Sequence, residues 1–311
     1  MTMIANVEQP AGRWSMLLPT RGLLRVAGPD ARAFLQGLIS NDIEKITTNR
    51  ALWAAFLTPQ GKFLHDLFLC HEPNTGNADT FLVDCEAARR ADLRRRLGLY
   101  RLRAQATIEA ASEDYAVAVL FGAEALTALG LPAEAGRART FAGGLVYVDP
   151  RLPALGARAV LPRDGASAAL AEAGFAPADQ TAHDRLRIAL GVPDGSRDLE
   201  VERSPLLENG FDELGGIDWD KGCFLGQELT ARTKYRALIK KRLLPVAIEG
   251  PAPPPGTPVM AAGKEVGVMR SSVDGIGLAL LRLEETRGLP PGALSSGEAR
   301  LTVKPPAWFK D

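Results

Sequence analysis

Apolar and polar positions alternate along this chain with two different periods, and the changes between them mark its elements. From Arg21, "RGLLRVAGPDARAFLQGL" reads as a short strand, a turn at Gly28-Pro29 and a helix that Asp30 would N-cap, with Phe34, Leu35 and Leu38 on one face. Next, "ALWAAFLTPQGKFLHDLFLC" gives two apolar runs joined by Thr58-Pro59-Gln60-Gly61, the pattern of a hairpin. The strand "TFLVDC" and an arginine-rich helix from about Glu86 to Leu97 complete an order of strand, helix, hairpin, strand, helix.

A similar order returns in the strand "YAVAVLFG" from Tyr115, the helix "AEALTALG", the strands "GLVYVD" and "GARAVLP", and a helix from about Asp164 to Gly174. No letter-by-letter repeat accompanies it. The recurrence predicts an α+β fold of two related units, each with helices on one face of an antiparallel sheet. The helix "AHDRLRIAL", stopped by Gly191-Val192-Pro193, is expected to return the chain to the first unit. After Lys240 come short runs punctuated by Gly and Pro, beginning at "PAPPPGTPV", which predict a small all-β barrel. The expected organisation is residues 12–108 with 179–238 as the first unit, 109–178 as a second, ferredoxin-like unit, and 239–311 as the barrel. The sharpest boundary falls at 237–243.

Composition narrows the chemistry. The 311 residues carry 37 Lys plus Arg against 37 Asp plus Glu, so there is no broad cationic field of the kind a dedicated nucleic-acid binder uses. "MTMIANVEQPAGRW" lacks the pattern of a signal or transit peptide, and no apolar run approaches the roughly 18 residues of a membrane span. Cys70, Cys85 and Cys223 are odd in number and far apart, as suits a reducing compartment, and a cytosolic protein is expected. A self-contained zinc or iron–sulfur site wants about four ligands, commonly with a C-x-x-C pair. No such pair is present, and His65, His71 and His183 are scattered.

Two of the cysteines lie in apolar strand-like runs and read as small core residues. Cys223 differs, because it stands in "KGCFLGQE" among Lys221, Gly222, Gly226, Gln227 and Glu228. Lys221, or a helix beginning at "GQELTAR", would favour the thiolate. The flanking glycines permit positive φ and close approach of a ligand or partner to the sulfur. Lys221 and Cys223 are therefore the candidate reactive pair, with Gln227 and Glu228 orienting the loop by hydrogen bonds.

"KGCFLGQELTAR", preceded by "LGGIDW" and accompanied by "GVPDGSRDL" upstream and "GLALL" near the C-terminus, resembles the signature of the YgfZ family of folate-binding proteins that mature iron–sulfur enzymes. That family is related to the glycine-cleavage aminomethyltransferase, the T-protein, and the likeness runs from about Arg21 to Trp308. It is strongest to the branch that includes the mitochondrial maturation factor for four-iron clusters. The resemblance implies two α+β units and a barrel arranged as a ring around a central channel holding tetrahydrofolate or a derivative. It further implies work on four-iron clusters with assembly or client proteins as partners. The family's Asn-Asp pair near the folate falls on Asn41 and Asp42. The T-protein segment with two adjacent acids falls on "TPQGKFLHDLFL", where His65 replaces the catalytic acid and only Asp66 remains.

Arg187, at a basic position of the family, offers a fork for the glutamyl tail of folate, though an ion pair with Asp184 is an equal alternative. Trp219 offers a face to the pterin but is as well explained by core packing. Asn209 matches a family asparagine only with a shift of one residue. Three functions stay open: an accessory factor whose Cys223 is a ligand of a cluster shared with a partner, a nucleophile or a redox-sensing thiol, with the missing ligand set favouring sharing; a tetrahydrofolate-dependent aminomethyl transferase; and an RNA-associated module acting on transfer-RNA modification. The missing acid at His65 weighs against the second and the zero net charge against the third.

Overall fold

The computed structural model describes residues 9–309 apart from 74, 77, 78, 237 and 238. The first sheet is antiparallel and five-stranded, in the order Leu52–Leu57, Phe63–His71, Thr80–Glu86, Arg21–Ala27, Thr107–Ala110. Its strands are apolar on both faces because both are covered. The helices Ala31–Gln36 and Arg90–Arg101 close one face around Phe56, Leu67, Leu93 and Leu97. The other face carries Trp53, Phe68 and Cys70 into a second cluster with Val119, Phe121 and Tyr147 of the other unit.

The second sheet has six strands, in the order Ala176–Pro177, Trp14–Leu17, Tyr115–Phe121, Ala157–Pro162, Gly144–Val148, Ala138–Phe141. Trp14–Leu17, expected in the first unit, pairs antiparallel with Tyr115–Phe121 instead. The helix Gln180–Ala189, capped by the Asp179 side chain on Ala182 N at 2.9 Å, adds Leu186 to the cluster between the sheets. Its Ile188 meets Leu243, Leu278 and Leu280 of the barrel. That barrel is closed, in the order Lys241–Glu249, Ile276–Arg282, Lys264–Val273, Pro258–Ala261, Leu294–Ser296, Ala299–Val303. The predicted α+β class with a C-terminal barrel is therefore observed. The barrel begins at Lys241, while residues 237 and 238 of the expected boundary lie outside the described residues.

One local expectation fails. The Asp30 side chain makes no cap to its helix. Its Oδ2 accepts the main-chain N–H of Gln105 at 2.7 Å, so the carboxylate ties the helix start to the segment before Thr107–Ala110.

Candidate functional site

The Cys223 loop is seated between two parts of the first unit. On one side, Lys221 Nζ donates to the carbonyls of Gln36 and Ile39, both at 2.6 Å, where the helix Ala31–Gln36 ends with unsatisfied oxygens. Leu225 N donates to Gly37 O at 3.0 Å, and Gln36 Nε2 returns a contact to Lys221 O at 3.3 Å. On the other side lies the Thr58–Gly61 turn of the predicted hairpin. A side chain at Gly226 would stand 2.6 Å from Thr58 O and 3.0 Å from Gly61 Cα, and Gly226 has φ of +82°. Glycine is required there twice over, by conformation and by contact.

Between these anchors Gly222 and Cys223 are exposed, while Phe224 is buried. Phe224 N donates to Gln227 Oε1 at 3.2 Å, which closes the loop onto the start of the helix Gln227–Tyr235. Glu228 points outward and pairs with Arg232 at 2.7 Å. Lys221 needs correction as a tuner of the thiol, since its ammonium is committed to two carbonyls of another segment. Burial, only partly offset by Asp42 and Asp218, lowers its pKa to about 8. Cys70 and Cys85 are buried, and burial pushes their thiols up, Cys85 to about 12. Both are held protonated and enclosed, so Cys223 is the accessible thiol.

The residues offered to folate are brought into quite different company. Asn41 Nδ2 donates to Trp53 O at 2.7 Å and Gly215 O at 2.8 Å, and Asp42 accepts Gln36 Nε2 at 2.8 Å and Glu44 N at 3.1 Å. Asp66 is buried and paired with Arg21 at 3.1 Å. Arg21 also reaches Asp84 at 2.6 Å, and Asp84 accepts Arg158 of the second sheet at 2.6 Å. The guanidinium groups of Arg21, Arg151 and Arg158 lie 5.4, 4.9 and 3.7 Å from the ring centre of Phe68. Trp53 and Phe211 stack at 4.0 Å beside them.

Arg187 is corrected in the same way. It is fully buried, pairs with Asp184 at 2.5 Å and Asp198 at 2.7 Å, and reaches Ser271 Oγ of the barrel at 3.0 Å. It is therefore a bolt between the units, with no free edge for a glutamyl tail. Trp219 gives its indole N–H to Asp212 at 2.7 Å, and Lys234 Nζ stands 4.2 Å over its ring, so one face is taken. Asn209 is buried and donates to Pro205 O at 2.8 Å. The described cavities, of about 660, 510, 480 and 290 Å3, are lined by none of these residues. The side chains present do not fit the folate that the resemblance implies, because each is already engaged by groups of the chain itself.

His65 and Asp66 are neighbours on one strand and face opposite ways. His65 is buried toward the arginine-rich helix, with Nε2 3.2 Å from Asp92 Oδ2, and burial beside Arg89 lowers its pKa to about 4. The imidazole at the transferase position is thus neutral and enclosed. Sequence reasoning missed the Gln36 and Ile39 carbonyls and the Arg21–Asp84–Arg158 chain. Arginine within an otherwise apolar strand, in "RGLLRV", was the available signal for the latter.

Comparison with known proteins agrees with the fold. Residues 240–311 match the family described as the C-terminal beta-barrel domain of CAF17. Over 307 residues the chain is 34% identical to the human mitochondrial iron–sulfur cluster assembly factor IBA57, covering 94% of this chain and 84% of that protein. The mouse protein of the same name gives 34% over 310 residues with the same coverage, and a homologue from Neurospora crassa gives 31% over 241 residues, covering 76% of this chain and 54% of that protein. The aminomethyltransferase T of Bartonella henselae shares the fold, with a TM-score of 0.75 at 15% identity, covering 96% of this chain and 87% of that one. These relatives carry the IBA57 name, in keeping with the iron–sulfur maturation branch of the resemblance, to which the YgfZ group is related. They are named as mitochondrial, which overturns the cytosolic assignment.

Proposed function

The chain belongs to the IBA57 family of iron–sulfur cluster assembly factors, and from that premise we propose that it serves four-iron cluster assembly or repair by adding the Cys223 thiolate to a cluster carried on a partner protein. The observation that carries this reading is the anchoring of the loop: its ends are tied to Gln36–Ile39 and to the Thr58–Gly61 turn, while the sulfur between them is exposed. A thiol presented on a held loop can reach iron on another molecule. Cys70 and Cys85, enclosed in strands, leave the remaining ligands to the partner. On coordination the S–H proton passes to solvent and the S–Fe bond takes its electron pair.

Folate has no step in this proposal, since Asn41, Asp42, Asp66, Arg187 and Trp219 are each engaged within the chain. Aminomethyl transfer is not favoured by any group at the His65 position, where the imidazole is enclosed and neutral. The test replaces Cys223 by Ser and measures the activity of a four-iron enzyme in cells lacking the native protein. Activity should be lost although the variant folds. Full rescue by Cys223→Ser would end the proposal.

A further inference from the structure

Five of the six large apolar side chains that stand exposed among the described residues belong to two helices: Leu99, Tyr100 and Leu102 at the end of the arginine-rich helix, and Leu229 in the first turn and Tyr235 at the end of the helix after the thiol loop. Leu102 is 88%, Tyr235 74% and Leu99 64% exposed. The end of the arginine-rich helix and Leu229 flank one turn. Tyr100 meets Phe56 edge-on with ring centres 6.1 Å apart, and the strand holding Phe56 runs into Thr58–Gly61. On the other side of that turn a side chain at Gly61 would stand 3.3 Å from Leu229 Cβ. Leu225, two residues after the thiol, rests on the cluster that contains Leu97. Cys223 therefore lies on the loop held by the turn between them.

Charge follows the same outline. From Arg89 to Arg103 there are seven arginines and one acid, Asp92, and from Gln227 to Arg236 three bases and one acid, Glu228, in a chain whose net charge is zero. Arg94 and Arg101 donate to the carbonyls of Ile108 and Ala106, and among the described residues no carboxylate pairs with Arg94, Arg101, Arg103 or Arg236. Apolar side chains with arginine around them are the composition of a protein docking patch. Bases of a nucleic acid want aromatic platforms, whereas Leu99, Leu102 and Leu229 are aliphatic.

We propose that this face docks an acidic protein partner, whose apolar patch covers Leu99, Leu102 and Leu229 and whose cluster is thereby brought to Cys223. The inference rests on the proposed role of the thiol and specifies the kind of partner that role requires. Complementary charge steers the encounter and makes it sensitive to salt.

The test uses the full chain in cells lacking the native protein, with a four-iron enzyme as readout and three variants: Leu102→Asp with Arg103→Glu, Leu229→Asp, and Leu289→Asp on the barrel. Leu102 has φ of +43° with ψ of −107°, a strained pair outside the αL region, so the melting temperature of the first variant is measured beside that of the wild type. The first two variants should lose at least ten-fold in rescue, and Leu289→Asp should rescue fully. If the double variant melts low, Arg103→Glu alone carries the test. A photo-crosslinker at Leu102 then identifies the protein seated there. Measured as purified components at 50 and 300 mM salt, it should be acidic, bind more weakly at high salt, and fail to bind the double variant. Full rescue by the double variant, a partner that is not acidic, or variant-sensitive binding of poly(U) RNA or of vesicles containing anionic lipid each overturns the proposal. Rescue by Cys223→Ser would instead strike the thiol reading itself, so the two failures are told apart.

Discussion

Alanine at the two glycines that bracket the thiol should have unequal consequences. Gly222 and Gly226 both have positive φ, +90° and +82°, so an L-residue at either costs about 1–2 kcal/mol in conformation. At Gly222 nothing lies within 4 Å of the added Cβ, and that conformational cost is the whole effect. At Gly226 the Cβ would press on Thr58 O at 2.6 Å and Gly61 Cα at 3.0 Å, main-chain atoms that cannot rotate aside. Relief requires the loop to lift from the turn, forfeiting part of its seat at a further cost of about 1–3 kcal/mol, in the range seen for overpacked sites. At roughly 2–4 °C per kcal/mol for domains of about 150–250 residues, Gly222→Ala should melt a few degrees low and Gly226→Ala on the order of 8 °C low. Amide exchange over 221–227 locates the damage, and Gly226→Ala should lose rescue of a four-iron enzyme while Gly222→Ala keeps most of it. Equal melting shifts and equal exchange in the two variants would refute the claim that the turn seats the loop.

Asp84→Asn leaves Arg21 and Arg158 with one buried carboxylate fewer, and urea denaturation should show a loss of about 3–5 kcal/mol, as expected for a broken buried pair. Acid should destabilise the chain through His65 and His183, whose folded pKa values are both lowered to about 4 by burial. Between about 6.5 and 4 the unfolded chain binds protons that the native state refuses, so stability falls as pH drops through that window. His65→Gln or His183→Gln should flatten this limb of the stability curve. Tetrahydrofolate at 100 μM should leave the melting temperature unchanged, whereas a ligand with a Kd near 1 μM would add about 2.7 kcal/mol and a visible shift.

Much of this architecture is legible in the sequence where the signal is local. The hairpin around Thr58–Gly61, the helix from Gln180 and the barrel after Lys240 follow from periodicity and turn residues. What the sequence does not carry is the choice of distant partner. Trp14–Leu17 falls in the span expected for the first unit, but its neighbour is fixed by the shared core between the sheets. Arg187 and Asp184 pair as i and i+3 on one helix, a reading open from the start, whereas Asp198 and Ser271 join them only through the tertiary fold. Lys221 next to a cysteine suggests a tuned thiol, yet a four-carbon side chain reaches past its neighbours, and here it finds the open end of a helix. The exposed thiol itself was legible because glycine and charge around a cysteine argue against burial.

The anchors of the Cys223 loop also fix when it can form. Lys221 reaches oxygens 185 and 182 residues earlier in the chain, and contacts of such separation are late and slow to close. During synthesis the helix ending at Gln36 and the Thr58 turn exist long before the segment that will lean on them. The thiol is therefore held on this loop only in a molecule whose first unit is closed. A chain interrupted before residue 221 has no sulfur there at all, so the exposed thiol is a late product of synthesis, set in place only once the first unit has been made.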